Sequence, residues 1–260
     1  MSIVPAPVMS WPTLLGLIVS AVLCWLLQYG SVQHAAGQVA PLFQAAIAAA
    51  WAMLLLWLWT RWRGIALFAQ GASLLSALWG GGLFTLQWAC LYLAVDRQPL
   101  WLVAINFLLS AALFLLIPLA RTRWRGVAAL FLLMGGGGVL VLGVCARHAG
   151  QGAAWLLALT AALTFALGLH QTRRAQMQAQ DLMRWRFYQL CVAALLLPLA
   201  AVAFSPSWNF LPGRGEMGAI LLQAVCGGLA FPFLLAAALP EPGYEAAGDA
   251  HISNIVPPDA

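Results

Sequence analysis

Lysine is absent from the 260 residues, and all twelve basic side chains are arginine. Charge of either sign is scarce. Only 7% of residues are charged, where a soluble domain carries about 25%. The 63% hydrophobic content exceeds the roughly 45–50% of such a domain. A water-soluble globule of this composition would expose large apolar patches, so lipid is the natural solvent. Catalytic motifs are also missing: there is no H-E-x-x-H, no G-x-S-x-G and no P-loop. The acidic residues Asp96, Asp181, Glu216, Glu241, Glu245, Asp249 and Asp259 all fall in expected loops or the tail. No acid/base pair therefore forms across a helix, and an enzyme is not expected. Of the cysteines Cys24, Cys90, Cys145, Cys191 and Cys226, four lie inside apolar runs, Cys145 ends one, and none forms C-x-x-C. They read as small buried hydrophobes, with no disulfide framework, no metal site and no cofactor. Residues 1–12 lack Lys and Arg, so the charged region of a cleavable signal is missing. The first apolar run is expected to stay as a membrane helix.

What is present is a series of long apolar runs. A helix needs about 20 such residues to cross a bilayer. Eight candidates are Trp11–Tyr29, Ala40–Trp59, Ser73–Val95, Leu100–Ala120, Val127–Cys145, Ala153–His170, Phe187–Phe204 and Met217–Leu239. They are continuously apolar and too long for barrel strands. The fold class is an all-α integral membrane protein, a polytopic bundle of about eight transmembrane helices. The net charge of +5 can signal a nucleic-acid partner. Here, however, the arginines occupy short loops between apolar runs. Arg61, Arg63, Arg121, Arg123, Arg125, Arg173, Arg174, Arg184 and Arg186 follow even-numbered runs, whereas Arg97, Arg147 and Arg214 follow odd-numbered ones. The positive-inside rule puts the larger set in the cytoplasm, together with both termini. No nucleic-acid partner is expected. Trp11, Trp59, Trp62, Trp101, Trp124, Trp155 and Trp185 near run ends fit interfacial anchoring.

Neutral polar residues inside the runs are the candidates for a solute site. Trp25, Gln28 and Tyr29 share one face of the first run by their i, i+3 and i+4 spacing. Gln87 lies in the third run between Trp79 and Tyr92; Asn106 is in the fourth, Tyr188 and Gln189 open the seventh, and Gln223 is in the eighth. An amide facing lipid is costly, so these residues face other helices or a watery cavity. Plain helix–helix hydrogen bonding is the simpler account of any one of them. A cavity of amides and aromatics suits a neutral, zwitterionic or amphipathic solute. Ala154, Ala158, Ala162 and Ala166 recur every four residues in the sixth run, a close-packing pattern, and His170 continues the row as an interfacial group or a proton relay. Glycines cluster at 80–82, 135–138 and 227–228, where they read as packing contacts or hinges. Pro232, four residues after Gly228, predicts a kink.

The chain is weakly repeated. Phe43-Gln44 of the second run matches Phe187-Tyr188-Gln189 of the seventh, and Gly82-Leu83-Phe84 of the third matches Gly228-Leu229-Ala230-Phe231 of the eighth. An offset of five helices inverts one copy, as in many secondary transporters.

These residues resemble a known family, the EamA-like members of the drug/metabolite transporter superfamily. Gly135-Gly136-Gly137-Gly138-Val139-Leu140-Val141-Leu142-Gly143, preceded by Arg125-Gly126, is similar to that family's fifth helix. Ala161-Ala162-Leu163-Thr164-Phe165-Ala166-Leu167-Gly168 with Arg173-Arg174 is similar to its sixth, and Phe187-Tyr188-Gln189 to the opening of its seventh. Ser253-Asn254-Ile255-Val256-Pro257 resembles the S-N-x-x-P start of its ninth, whereas the first-half counterpart, Ile105-Asn106-Phe107-Leu108-Leu109, has no proline. The resemblance implies two inverted halves of five helices. Residues 1–145 would form the first, and 146–260 a second of three helices plus an acidic tail. The last two helices would be lacking, since three residues follow Pro257. It implies a secondary transporter in a bacterial inner membrane, exporting a small metabolite, amino acid or drug-like solute by alternating access. The expected partners are that solute and the lipid bilayer, with a homodimer as the alternative to a monomer. A non-transporting membrane partner protein and a membrane-embedded enzyme are the competing functions.

Overall fold

The computed structural model describes residues 11–68, 73–99, 150–175, 179–205 and 208–238. All regular structure in these residues is helical. The helices are α1 (Trp11–Ala36), α2 (Pro41–Trp62), α3 (Ser73–Val95), α4 (Gln151–Ala175), α5 (Ala179–Phe204), α6 (Arg214–Gln223) and α7 (Phe231–Ala238). A π-helical segment, Ala224–Ala230, joins α6 to α7. Six helical stretches among the described residues are long and apolar enough to cross a membrane, the last being Arg214–Ala238. The chain is a multi-pass helical membrane protein. Leu15, Leu23, Leu58, Leu75, Leu195 and Leu199 are exposed on its outside, as a lipid-facing surface requires. The fourth and fifth apolar runs lie outside the described residues.

Two expectations need correction. Arg61, Arg173, Arg174, Arg184, Arg186 and Arg214 were expected in loops, but α2 contains Arg61, α4 contains Arg173 and Arg174, α5 contains Arg184 and Arg186, and α6 begins at Arg214. Asp181 and Glu216, expected in loops, fall in the first turns of α5 and α6. Hydropathy ends a run at the first charge, whereas a helix continues as long as its charged side chains reach water or a partner.

The core is built around α2, α3 and α5. α2 packs along α5, α3 along both α4 and α5, and α1 along α6 and α7. Small residues set the close approaches. Ala45, Ala48, Ala49 and Ala52 of α2 are fully buried, as is Ala193 of α5. Ala154, Ala158, Ala162 and Ala166 of α4 are buried in turn, which fits the close-packing pattern.

Connections tie the bundle at both faces. On one face, Arg184 Nε donates to Ala66 O at 2.6 Å and Tyr188 Oη to Leu67 O at 3.0 Å, fastening the start of α5 to the α2–α3 loop. On the other, Ala40 N donates to Asn209 O at 2.7 Å and Gln33 Nε2 to Gln98 O at 3.2 Å. The ends of α1 and α3 therefore share a face with the exit of α5.

Candidate functional site

The site begins with a proline. A helical carbonyl normally accepts from the N–H four residues on, and proline has none. Pro232 thus leaves the Gly228 carbonyl without its α-helical donor, in mid-span of the last membrane helix. The π-helical segment Ala224–Ala230 lies directly before this proline and contains Gly228. The glycines there allow close contact: a Cβ on Gly228 would come within 2.5 Å of Ala52 Cβ, and one on Gly227 would collide with the Gln28 carboxamide.

The freed carbonyl is met by Arg186. Its Nε and Nη2 donate to Gly228 O at 3.0 and 2.9 Å, and its Nη1 to Gln189 Oε1 at 3.0 Å. The guanidinium lies 4.1 Å over the ring of Phe84, a cation–π contact that covers one of its faces. Arg186 is 6% exposed. Among the described residues no carboxylate pairs with it. A charge buried between membrane helices is costly, and its default reading is a functional one.

Arg186 lines a cavity of about 90 Å³ between α1, α3, α4, α5 and the broken helix. The walls are mainly apolar and aromatic: Phe84, Trp88, Phe165 and Phe231, with Ala158, Ala161 and Ala162 as a smooth side. Polar groups enter at Gln28, Tyr29, Gln87, Trp185, Arg186 and Gln189. Trp185 Nε1 is buried with no hydrogen-bond partner among the described residues, and Gln28 Nε2 is buried beside the Tyr92 hydroxyl. No family model, curated protein or solved structure matches this chain.

The sequence candidates divide by position. Trp25, Gln28, Tyr29, Gln87 and Gln189 line this one cavity. Tyr92 is fully buried behind it, its hydroxyl beside the Gln28 amide. Tyr188 is turned to the α2–α3 loop through its bond to Leu67 O. Gln223 is fully buried and donates to Gln44 Oε1 at 3.4 Å, a contact between α6 and α2. Trp79 is 41% exposed on α3 and outside the cavity wall. Asn106 lies outside the described residues, as does the side chain of His170, whose backbone is in α4. Arg186 is the residue that the sequence reading missed as a site, having counted it as a topology signal. The available signal was Pro232: a proline inside an apolar run announces a carbonyl in need of a donor.

Proposed function

We propose that the chain is a secondary transporter of a small solute, working by alternating access around the Arg186 cavity. The observation that carries this reading is a buried cation, without a carboxylate partner among the described residues, on a helix carbonyl at the wall of a cavity between membrane helices. Broken helices whose backbone turns toward a mid-membrane site are a recurring device of secondary transporters. The packing also supports it. Exchanging the first run with the sixth, the second with the seventh and the third with the eighth leaves the main packed pairs unchanged: α1 on the α6–α7 span becomes α4 on α3, and α2 on α5 maps onto itself. Two inverted halves of the EamA-like kind would pack in this way. Export of a metabolite, amino acid or drug-like solute, and a bacterial inner-membrane location, rest on that resemblance.

Flux of labelled solutes into liposomes carrying the purified protein tests the proposal. Gln87→Leu and Gln189→Leu should each lower flux at least about tenfold, more than they lower folded yield, with Gln189→Leu also costing stability because it strands Arg186 Nη1. Parental flux in both variants would reduce these amides to packing roles.

The orientation is tested separately. With Arg186 inside the bundle, eight arginines still follow even-numbered runs against three after odd-numbered ones, which favours cytoplasmic termini. A periplasm-active reporter fused after Leu239 should give no signal, and a strong signal there would reverse the topology.

A further inference from the structure

Around Arg186 the cavity wall carries hydrogen-bond donors that are not fully spent. A guanidinium has five N–H donors. Gly228 O and Gln189 Oε1 take three of them, so two remain. Trp185 Nε1 adds a donor without a partner among the described residues, and Gln28 Nε2, beside the Tyr92 hydroxyl, is a further donor at the wall. The guanidinium and the indole N–H can only donate, whichever way the amide is turned. A wall of donors around one positive charge fits a group that only accepts and carries one negative charge. An ionised carboxylate is such a group, and a guanidinium grips it with paired N–H bonds. A dianion fits poorly, because among the described residues no second cation enters the cavity and the extra charge would be unpaired among aromatic walls.

Size and lining set the rest of the molecule. A cavity of about 90 Å³ has room for a small molecule. Phe84, Trp88, Phe165 and Phe231 surround that space with apolar surface. We propose that the cavity binds a small monocarboxylate with an apolar or aromatic body, its carboxylate on Arg186, Gln28 and Trp185. This deepens the transporter reading and rests on it for the cavity being a solute site.

Binding to purified protein in detergent tests the proposal without any variant. Trp25, Trp88 and Trp185 line the cavity, so tryptophan fluorescence and thermal shift both report occupancy. The probes are acids paired with amides of the same skeleton: acetate with acetamide, butyrate with butyramide, benzoate with benzamide. Butyrate and benzoate should bind at least about tenfold more tightly than their amides, the difference made by a charge-assisted contact. Sodium chloride at the same concentration should not displace them. Arg186→Lys, which keeps the charge but loses the planar fork, should weaken benzoate at least about tenfold. Arg186→Leu combined with Pro232→Ala, which returns an N–H to the Gly228 carbonyl, should fold and fail to bind the acids. Acids and amides binding alike, no acid binding at all, displacement by equal chloride, or benzoate binding retained in the folded double variant would each overturn the proposal. Selective binding without liposome flux would remove the transporter reading and leave the anion site. Flux of the amides at the rate of the acids would do the reverse.

Discussion

Arg186→Leu should destabilise the protein by about 1–3 kcal/mol, and adding Pro232→Ala should recover most of that loss. The Gly228 carbonyl is buried in the bundle and has lost its helical donor to Pro232. Arg186 supplies two N–H groups to it. Removing the guanidinium leaves an unsatisfied buried acceptor, which costs about 1–3 kcal/mol. Alanine at 232 supplies a backbone N–H four residues on, so a return of Ala224–Ala230 to the α-helical register satisfies the carbonyl locally and Arg186 is no longer needed for stability. Pro232→Ala alone should be nearly neutral, because Arg186 already occupies the carbonyl. The two substitutions should therefore couple by at least about 0.5 kcal/mol in a double-mutant cycle, measured by thermal or SDS-induced unfolding in micelles. Strict additivity would mean that the carbonyl is not what Arg186 stabilises. The cycle also separates two roles of one side chain, since the rescued protein should be stable without its cation.

Gly81→Ala should lower stability by about 1–3 kcal/mol, the usual cost of overpacking a filled interior. A Cβ on Gly81 would come within 2.6 Å of Val192 Cβ and 2.9 Å of its Cγ2, so α3 and α5 would have to separate. Neither atom belongs to a long flexible side chain that can swing away. The neighbouring Gly82 is the control, because a Cβ there meets nothing within 4 Å. Gly82→Ala should be neutral or stabilising by up to about 1 kcal/mol through helix propensity. Unfolding in the same micelles measures both. Equal behaviour of the two variants would show that α3 and α5 are not in close contact.

The parts of this molecule legible in its sequence are those set by local pattern. The third apolar run was read as Ser73–Val95, the bounds of α3. Trp25, Gln28 and Tyr29 were placed on one face by helical spacing alone, and they line one wall. Gly228 and Pro232 marked the break in the last span. What spacing does not contain is which partner a polar side chain finds. Gln223 and Gln28 look alike in apolar runs, yet one meets Gln44 across the α6–α2 contact and the other faces the cavity. Arg186 was illegible for the same reason. Its partner is 42 residues away in sequence, and hydropathy treats any arginine as an exit from the membrane.

The two ends of α5 are fastened by different chemistry, and this bears on how the protein can change over generations. At its start the bonds to the α2–α3 loop come from side chains, Arg184 and Tyr188. Beyond its exit, the Asn209 carbonyl is held by the backbone N–H of Ala40. Single-base changes such as Tyr to Phe delete a side-chain bond and leave the fold intact. A backbone bond survives nearly every substitution at either position, proline at 40 being the exception. Inherited variation can therefore loosen the start of α5 in small steps, while the far end stays nearly fixed.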